Sequence, residues 1–339
     1  LALLASNQYK KAKARYPNVC GSGLFMEAIE QNPVYYDLAF EMPNHTDSIH
    51  LQGWLAAYAE RRYGAKSAAA EKAWMYLLEG PYRRGTNGTE RSSIVAARPA
   101  LDVKKSGPNA GLGIPYEPML IIQAQAQLLK DADKLAASKP YRFDIVDVQR
   151  QMMTNLGQLV HKKAAEAFVA KDKAAFTLHS RRFLELLSDM DELLYTRSEY
   201  SFDKWLTEAR SWGETKEEKD LMERDATSLV TIWGADGDPR IFDYSWREWA
   251  GLINGYYLPR WQKFYTMLQG HLDAGTDYQE EGLPLAYGRE DFRANDFYNQ
   301  LADWELAYVV QTDKARIPVT RGDELVITRR LFDKYLKLS

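Results

Sequence analysis

The chain has 339 residues, 45% of them hydrophobic and 27% charged, with a net charge of −3. That is enough apolar material for one large or two modest cores, and the weak acidity leaves no basic footprint for nucleic acid or an anionic membrane. The single cysteine, Cys20, excludes an internal disulfide framework and a cysteine-based zinc site.

In residues 1–16, Leu1, Leu4, Ala5, Tyr9, Ala12 and Tyr16 fall at helical spacing, with Lys10, Lys11, Lys13 and Arg15 on the other side. Pro17 ends that helix because it brings no backbone donor. Residues 18–25 read as a short strand broken by Gly21 and Gly23, in which Cys20 is expected to be a buried, inert thiol. A loop and another helical pattern follow. Helix, strand, loop, helix is one turn of an α/β barrel, and a carboxylate just past a strand end sits where such barrels keep their chemistry. Glu27 holds that position. Glu30 nearby reads as a first-turn residue that complements a helix N-terminus. A closed barrel takes about 200 residues or more, so only a remnant of one is expected here. The chain begins at Leu1, shows no signal peptide, and reads as a piece of a longer protein.

From residue 47 onward the pattern is helix after helix. Leu51, Trp54, Leu55, Tyr58 and Tyr63 make one apolar stripe; Ala70, Ala73, Trp74, Leu77 and Leu78 make the next. Residues 81–115 are polar, contain Gly and Pro, and are long enough for a functional loop. Helical spacing resumes near Tyr116, and Phe183, Leu186, Leu187, Met190, Leu193 and Leu194 line one face of a later helix. Thr215 with Glu218, and Ser245 with Glu248, fit the capping box that marks a helix start. No apolar run is long enough to span a bilayer. The five histidines show no metal-ligand spacing and no phosphate-binding Gly loop or redox motif is present, so no metal and no cofactor is expected. Asp236-Gly237-Asp238 reads as a turn rather than a calcium loop.

Residues 229–261 form a second constellation. A helix is expected to end at Trp233, meet Gly234 and a loop with Gly237 and Pro239, and give way to a new helix near Ser245. Loops held between packed helices are good places for binding groups. Trp233 also continues the stripe Met222, Ala226, Leu229, Val230, so the residues alone leave it open between a core tryptophan and a binding one. The same choice stands for Ile241 and Tyr244.

Both constellations carry a resemblance. Residues 21–32, Gly-Ser-Gly-Leu-Phe-Met-Glu-Ala-Ile-Glu-Gln-Asn, resemble the nucleophile segment of the α-N-acetylglucosaminidases of glycoside hydrolase family 89, Gly-(Ser/Thr)-Gly-x-x-x-Glu-(Gly/Ala)-Ile-x-Gln-Asn. Further on, Thr-x-Trp-Gly, Ile-x-Asp-Tyr, Ala-Gly-Leu and Tyr-Tyr-x-Pro-Arg-Trp appear in the family's order. Ala28 stands where many relatives have Gly, a small departure. The resemblance implies a mainly α chain, with residues 1–46 the last strand-loop-helix remnant of a (β/α)8 barrel and residues 47–339 an irregular all-α domain.

For function, the resemblance implies retaining exo-hydrolysis of terminal α-linked N-acetylglucosamine from glycans. Glu27 would be the nucleophile, and Trp233, Ile241 and Tyr244 would line the sugar pocket. The acid/base residue lies outside this chain, so the isolated chain is expected to be inactive and to need the barrel segments that precede it. A secreted, periplasmic or lysosomal location goes with such relatives. The reading from a different class is a non-catalytic helical module that binds carbohydrate or another partner.

Overall fold

In the computed structural model, which describes residues 1–25, 32–83, 92–107, 111–233, 242–278, 280 and 296–337, local punctuation in the sequence sets where each helix begins and ends. The described chain divides into two units, Leu1–Gly88 with Ile114–Val148, and Thr89–Gly113 with Gln149–Ser339.

In the first unit the helix expected over residues 1–16 is split into α1 (Ala2–Ala5) and α2 (Gln8–Arg15). Asn7 makes the break: its backbone is left-handed at φ 54°, and its side chain accepts from Lys10 N and donates to the His45 and Asp47 carbonyls. Asn is one of the few residues that enter this region at little cost. Pro17 has the expected effect, and α2 stops at Arg15.

The strand expected over residues 18–25 does not form. Residues 19–25 have no regular structure, and the bridges among the described residues, Lys105 with Gly111 and Ser201 with Ala250, lie elsewhere. A barrel strand needs neighbours to take up its N–H and C=O groups, and no described segment pairs with this one. Cys20 is accordingly exposed rather than buried.

Helices α3 (Pro33–Glu41), α4 (Leu51–Tyr63), α5 (Ala68–Glu79), α6 (Met119–Lys130) and α7 (Ala132–Leu135) complete the first unit with the opening turns of α8 (Lys139–Val169). The predicted stripes are its core: Leu55, Tyr58, Ala70, Ala73 and Leu77 are all buried, and α5 packs on both α4 and α6. The Trp54 and Tyr58 rings stack 5.3 Å apart, and Trp74 meets Tyr58 edge-on at 5.0 Å. Asp144 on α8 is held by a fork of two 2.7 Å bonds from Arg62 and a 2.8 Å bond from Tyr63 Oη. A buried carboxylate is tolerable only with such partners.

The second unit is built from the rest of α8 and from α9 (Lys173–Leu194), α10 (Phe202–Arg210), α11 (Lys216–Leu229), α12 (Leu258–Ala274), α13 (Asp296–Val310) and α14 (Glu324–Leu336). The apolar face read on α9 is fully buried, with Phe183, Leu186, Leu187, Met190, Leu193 and Leu194 all at 0% exposure. It packs on α12 and α14. Thr215 and Glu218 form the expected capping box at the start of α11.

One piece of the polar segment departs from its reading. Ile94, Val95, Ala96 and Ala97 are buried within this unit, and the Val95 and Ala96 carbonyls accept from Trp261 and Arg260 of α12. Ahead of α12, residues Ile253–Tyr257 form a wide π-helical turn. The Asp191 carboxylate anchors it, accepting from Gly251 N at 2.8 Å, Asn254 N at 3.1 Å and Asn254 Nδ2 at 2.8 Å. No described helix is long and apolar enough to cross a membrane.

Candidate functional site

The second constellation lies wholly in the second unit. Helix α11 ends at Leu229, so Trp233 is not on the helical stripe that the sequence allowed it to continue. Thr231 Oγ1 bonds back to the Thr227 carbonyl at 2.7 Å, and Trp233 N donates to the Ser228 carbonyl at 2.6 Å. Trp233 itself has φ 57°. Across the gap in the described residues the chain returns at Phe242, and Asp243 N donates to the Thr231 carbonyl at 2.7 Å. Asp243 has φ 54°. Two non-glycine residues in the left-handed region therefore stand near either end of the gap in the described residues, each carrying strain of order 1–3 kcal/mol that its surroundings must enforce.

Two aromatic rings from either side of that gap come together. Trp233 and Tyr244 lie 4.8 Å apart between centroids at an interplanar angle of 46°, and both remain half-buried. Half-buried aromatic faces next to left-handed backbone can serve as a wall for the apolar face of a sugar.

Beneath this pair sits a buried charge cluster. Arg260 on α12 donates through Nη1 to both Asp243 oxygens, at 3.2 and 3.0 Å, and to Glu305 Oε1 of α13 at 3.1 Å. Its Nη2 donates to the Ala96 carbonyl at 2.6 Å. Arg98 closes the cluster on the other oxygen of Glu305 at 3.1 Å. The Arg260 guanidinium also lies 4.5 Å from the Tyr256 ring centroid and 5.2 Å from that of Tyr257. Burial pushes the Asp243 carboxyl up to about 7; Arg260 pulls it down, and neighbouring Glu305 adds to the rise. Burial alone would weaken the charge on Arg260, but Asp243, Tyr256 and Glu305 outweigh it and hold its pKa above the ordinary value.

A second feature fixes the backbone at Asp243. Gly107 packs so closely that a Cβ there would stand 2.8 Å from the Asp243 carbonyl oxygen.

The helix expected from Ser245 is absent: residues 246–249 have no regular structure, and helical backbone starts only at Leu252. Glu248 is not a cap. It is buried, and it accepts from Ser93 Oγ at 2.5 Å and Thr154 Oγ1 at 2.7 Å while pairing with Arg150. Those partners lie far away in sequence, so local spacing could not reveal them.

Of the sequence-predicted site residues, Trp233 and Tyr244 are brought together, while Glu27 and Ile241 lie outside the described residues, as does Asp236-Gly237-Asp238. Asp243 and Arg260 were within quoted motifs, but nothing local signalled that they pair; Glu305 and Gly107 carried no signal at all. Among the described residues, no group of three or more His, Cys, Asp or Glu is placed to hold a metal ion.

Comparison with known proteins bears directly on this arrangement. The family model described as Alpha-N-acetylglucosaminidase (NAGLU) C-terminal domain matches residues 54–334, which include the Trp233–Tyr244 pair and its charge cluster. The chain belongs to this family. The human alpha-N-acetylglucosaminidase is 32% identical over 98% of this chain, which spans 42% of the human protein. The family 89 glycoside hydrolase from Clostridium perfringens, solved in complex with 2-acetamido-1,2-dideoxynojirimycin, superposes with a TM-score of 0.85 at 29% identity. That match covers 99% of this chain and 37% of the bacterial one. A form of the Clostridium enzyme with two Glu→Gln substitutions, in complex with its substrate GlcNAc-α-1,4-galactose, matches with the same TM-score at 28% identity and the same coverage. The α-N-acetylglucosaminidase C-terminal domain is thus the frame for this helical architecture, and the chain spans less than half the length of these relatives.

Proposed function

We propose that this chain is the C-terminal portion of a retaining exo-α-N-acetylglucosaminidase that removes terminal α-linked N-acetylglucosamine from glycans. Residues 1–46 are the end of the catalytic barrel and residues 47–339 the helical domain that completes the sugar pocket. The observation that carries this reading is the family match over residues 54–334, within which Trp233 pairs with Tyr244. The nucleophile-like segment at residues 21–32 supports it from the sequence side.

Retention of configuration needs two carboxyl groups about 5 Å apart, one attacking the anomeric carbon and one protonating the leaving oxygen. Glu27 is the nucleophile, ionised at neutral pH. Its acid/base partner belongs to the part of the enzyme outside this chain, so the isolated chain does not turn over substrate. Trp233 offers its face to the apolar side of the sugar, and Ile241 and Tyr244 complete the wall. Two carboxyl groups suffice for this chemistry, with no metal or organic cofactor. A secreted, periplasmic or lysosomal setting is where such glycans are degraded.

The test is Glu27→Gln in the full-length protein that carries this chain. The change keeps the side chain's shape and removes its charge, so release of N-acetylglucosamine from an aryl α-glycoside should fall at least about a thousandfold with folding retained. Near-normal hydrolysis would leave the non-catalytic binding module as the better reading.

A further inference from the structure

We propose that Asp243, seated on Arg260 and backed by Gly107, is a positioning residue for sugar binding. It fixes the backbone that presents Tyr244 and, through the Thr231 carbonyl, Trp233. The inference rests on the reading of that aromatic pair as a pocket wall.

Three observations converge on Asp243. Its backbone is left-handed, a conformation that Gly or Asn adopts more cheaply. Its side chain is fully buried on a guanidinium, where a well-packed apolar residue would usually serve stability as well or better. Its backbone is caught between two fixed contacts, the N–H on the Thr231 carbonyl and the carbonyl oxygen against Gly107.

A backbone needed only to connect α11 to the next segment would require none of this. What the three constraints fix in common is the orientation of the next residue, Tyr244, relative to Trp233. The strain is localised at the two positions that carry or adjoin the rings, and the buried cluster of Arg260, Glu305 and Arg98 holds it from below. Asp243 touches no sugar in this account; it acts through Tyr244 and Trp233.

The arrangement predicts an ordered series of effects. Asn at 243 tolerates the left-handed backbone and still accepts from Arg260. Gly relieves the backbone but removes the anchor. Gly107→Ala leaves every charge in place and pushes on the Asp243 carbonyl from another element, because the new Cβ at 2.8 Å from backbone oxygen forces a shift. A wall that contacts the sugar equally in ground and transition states governs KM more than kcat.

The experiment measures kcat and KM on an aryl α-N-acetylglucosaminide, and the Kd of 2-acetamido-1,2-dideoxynojirimycin, in the full-length enzyme. The variants are Asp243→Asn, Asp243→Gly and Gly107→Ala, with Trp233→Ala and Tyr244→Ala as controls. Asp243→Gly and Gly107→Ala should raise KM and Kd about tenfold while kcat stays within about threefold, and Asp243→Asn should stay within about threefold on all three constants. If Asp243→Gly fails to fold, Gly107→Ala carries the test alone. Unchanged KM and Kd in these variants, where the aromatic controls raise both, would overturn the positioning role and leave the pocket wall standing. Unchanged KM in the aromatic controls themselves would remove the wall, and the positioning role with it.

Discussion

The guanidinium of Arg260 lies 3.0 Å from the Asp243 carboxylate with neither side chain open to solvent. Both charges were taken out of water to make this contact, at a desolvation cost that the contact itself must offset. Replacing Arg260 by Met would leave the buried Asp243 without its cation and Glu305 with Arg98 alone. We expect a loss of about 3–5 kcal/mol of folding stability, measured by urea denaturation. The loss should be smaller at pH 5 than at pH 8, because the stranded Asp243 carboxyl can then take up a proton. Equal stability of Arg260→Met and the parent at pH 8 would show that the pair contributes nothing.

His161 supplies a second pH prediction, from a group whose pKa is lowered rather than raised. The ring is buried on α8, with Nδ1 2.9 Å from Tyr265 Oη and Nε2 3.2 Å from the Leu101 carbonyl. Burial brings its pKa down to about 4, against a weaker upward pull from the carbonyls of Leu101 and Ala100. A folded-state value below the unfolded one means that the neutral ring is favoured on folding. Its contribution is therefore present above about pH 6.5 and lost as the pH falls through 4, on the order of 3 kcal/mol in all. In His161→Gln no such proton is taken up on unfolding. The difference in stability between parent and variant should shrink steadily from pH 6.5 to pH 4, and a constant difference would reject the assignment.

The Asp191 carboxylate accepts from the backbone N–H groups of Gly251 and Asn254 at the head of the π-helical turn. Asp191→Ala would leave these part-buried donors without the carboxylate, costing about 1–2 kcal/mol. Hydrogen exchange at the Gly251 and Asn254 amides should accelerate in parallel, and unchanged protection there would argue against the anchor.

Two serine and threonine positions that look alike in sequence should behave differently. Thr215→Ala removes a genuine cap and should cost about 1 kcal/mol. Ser245→Ala should change stability by less than about 0.5 kcal/mol, because no helix begins there. Thermal denaturation of the pair makes the comparison.

That contrast shows what could be read in the chain and what could not. Thr215 with Glu218 and the α9 face from Phe183 to Leu194 were legible because their partners lie within a turn or two and the helical period reports them. Ser245 with Glu248 matched the same template, yet Glu248 serves Ser93, Thr154 and Arg150. The strand over residues 18–25 failed for a related reason, since a strand is defined by neighbours that local pattern does not name. The two aromatic residues of the candidate wall came from a motif. The cluster that holds them was invisible, because Asp243, Arg260, Glu305 and Ala96 share no local period.

The wide sequence separation of that cluster also orders events in time. Arg98 and Glu305 are 207 residues apart, and Arg260 reaches a carbonyl 164 residues upstream. Contacts between such distant segments form late, since each must first close a long loop. On a ribosome, where the chain emerges at about 5–20 residues per second, Asp243 and Arg260 emerge well before Glu305 does. Until α13 is made and docks, the left-handed backbone has strain without its full support. We expect the Trp233–Tyr244 pair to settle only after α13 has docked, so that a nascent chain halted short of residue 305 would carry the residues of the proposed wall without its shape.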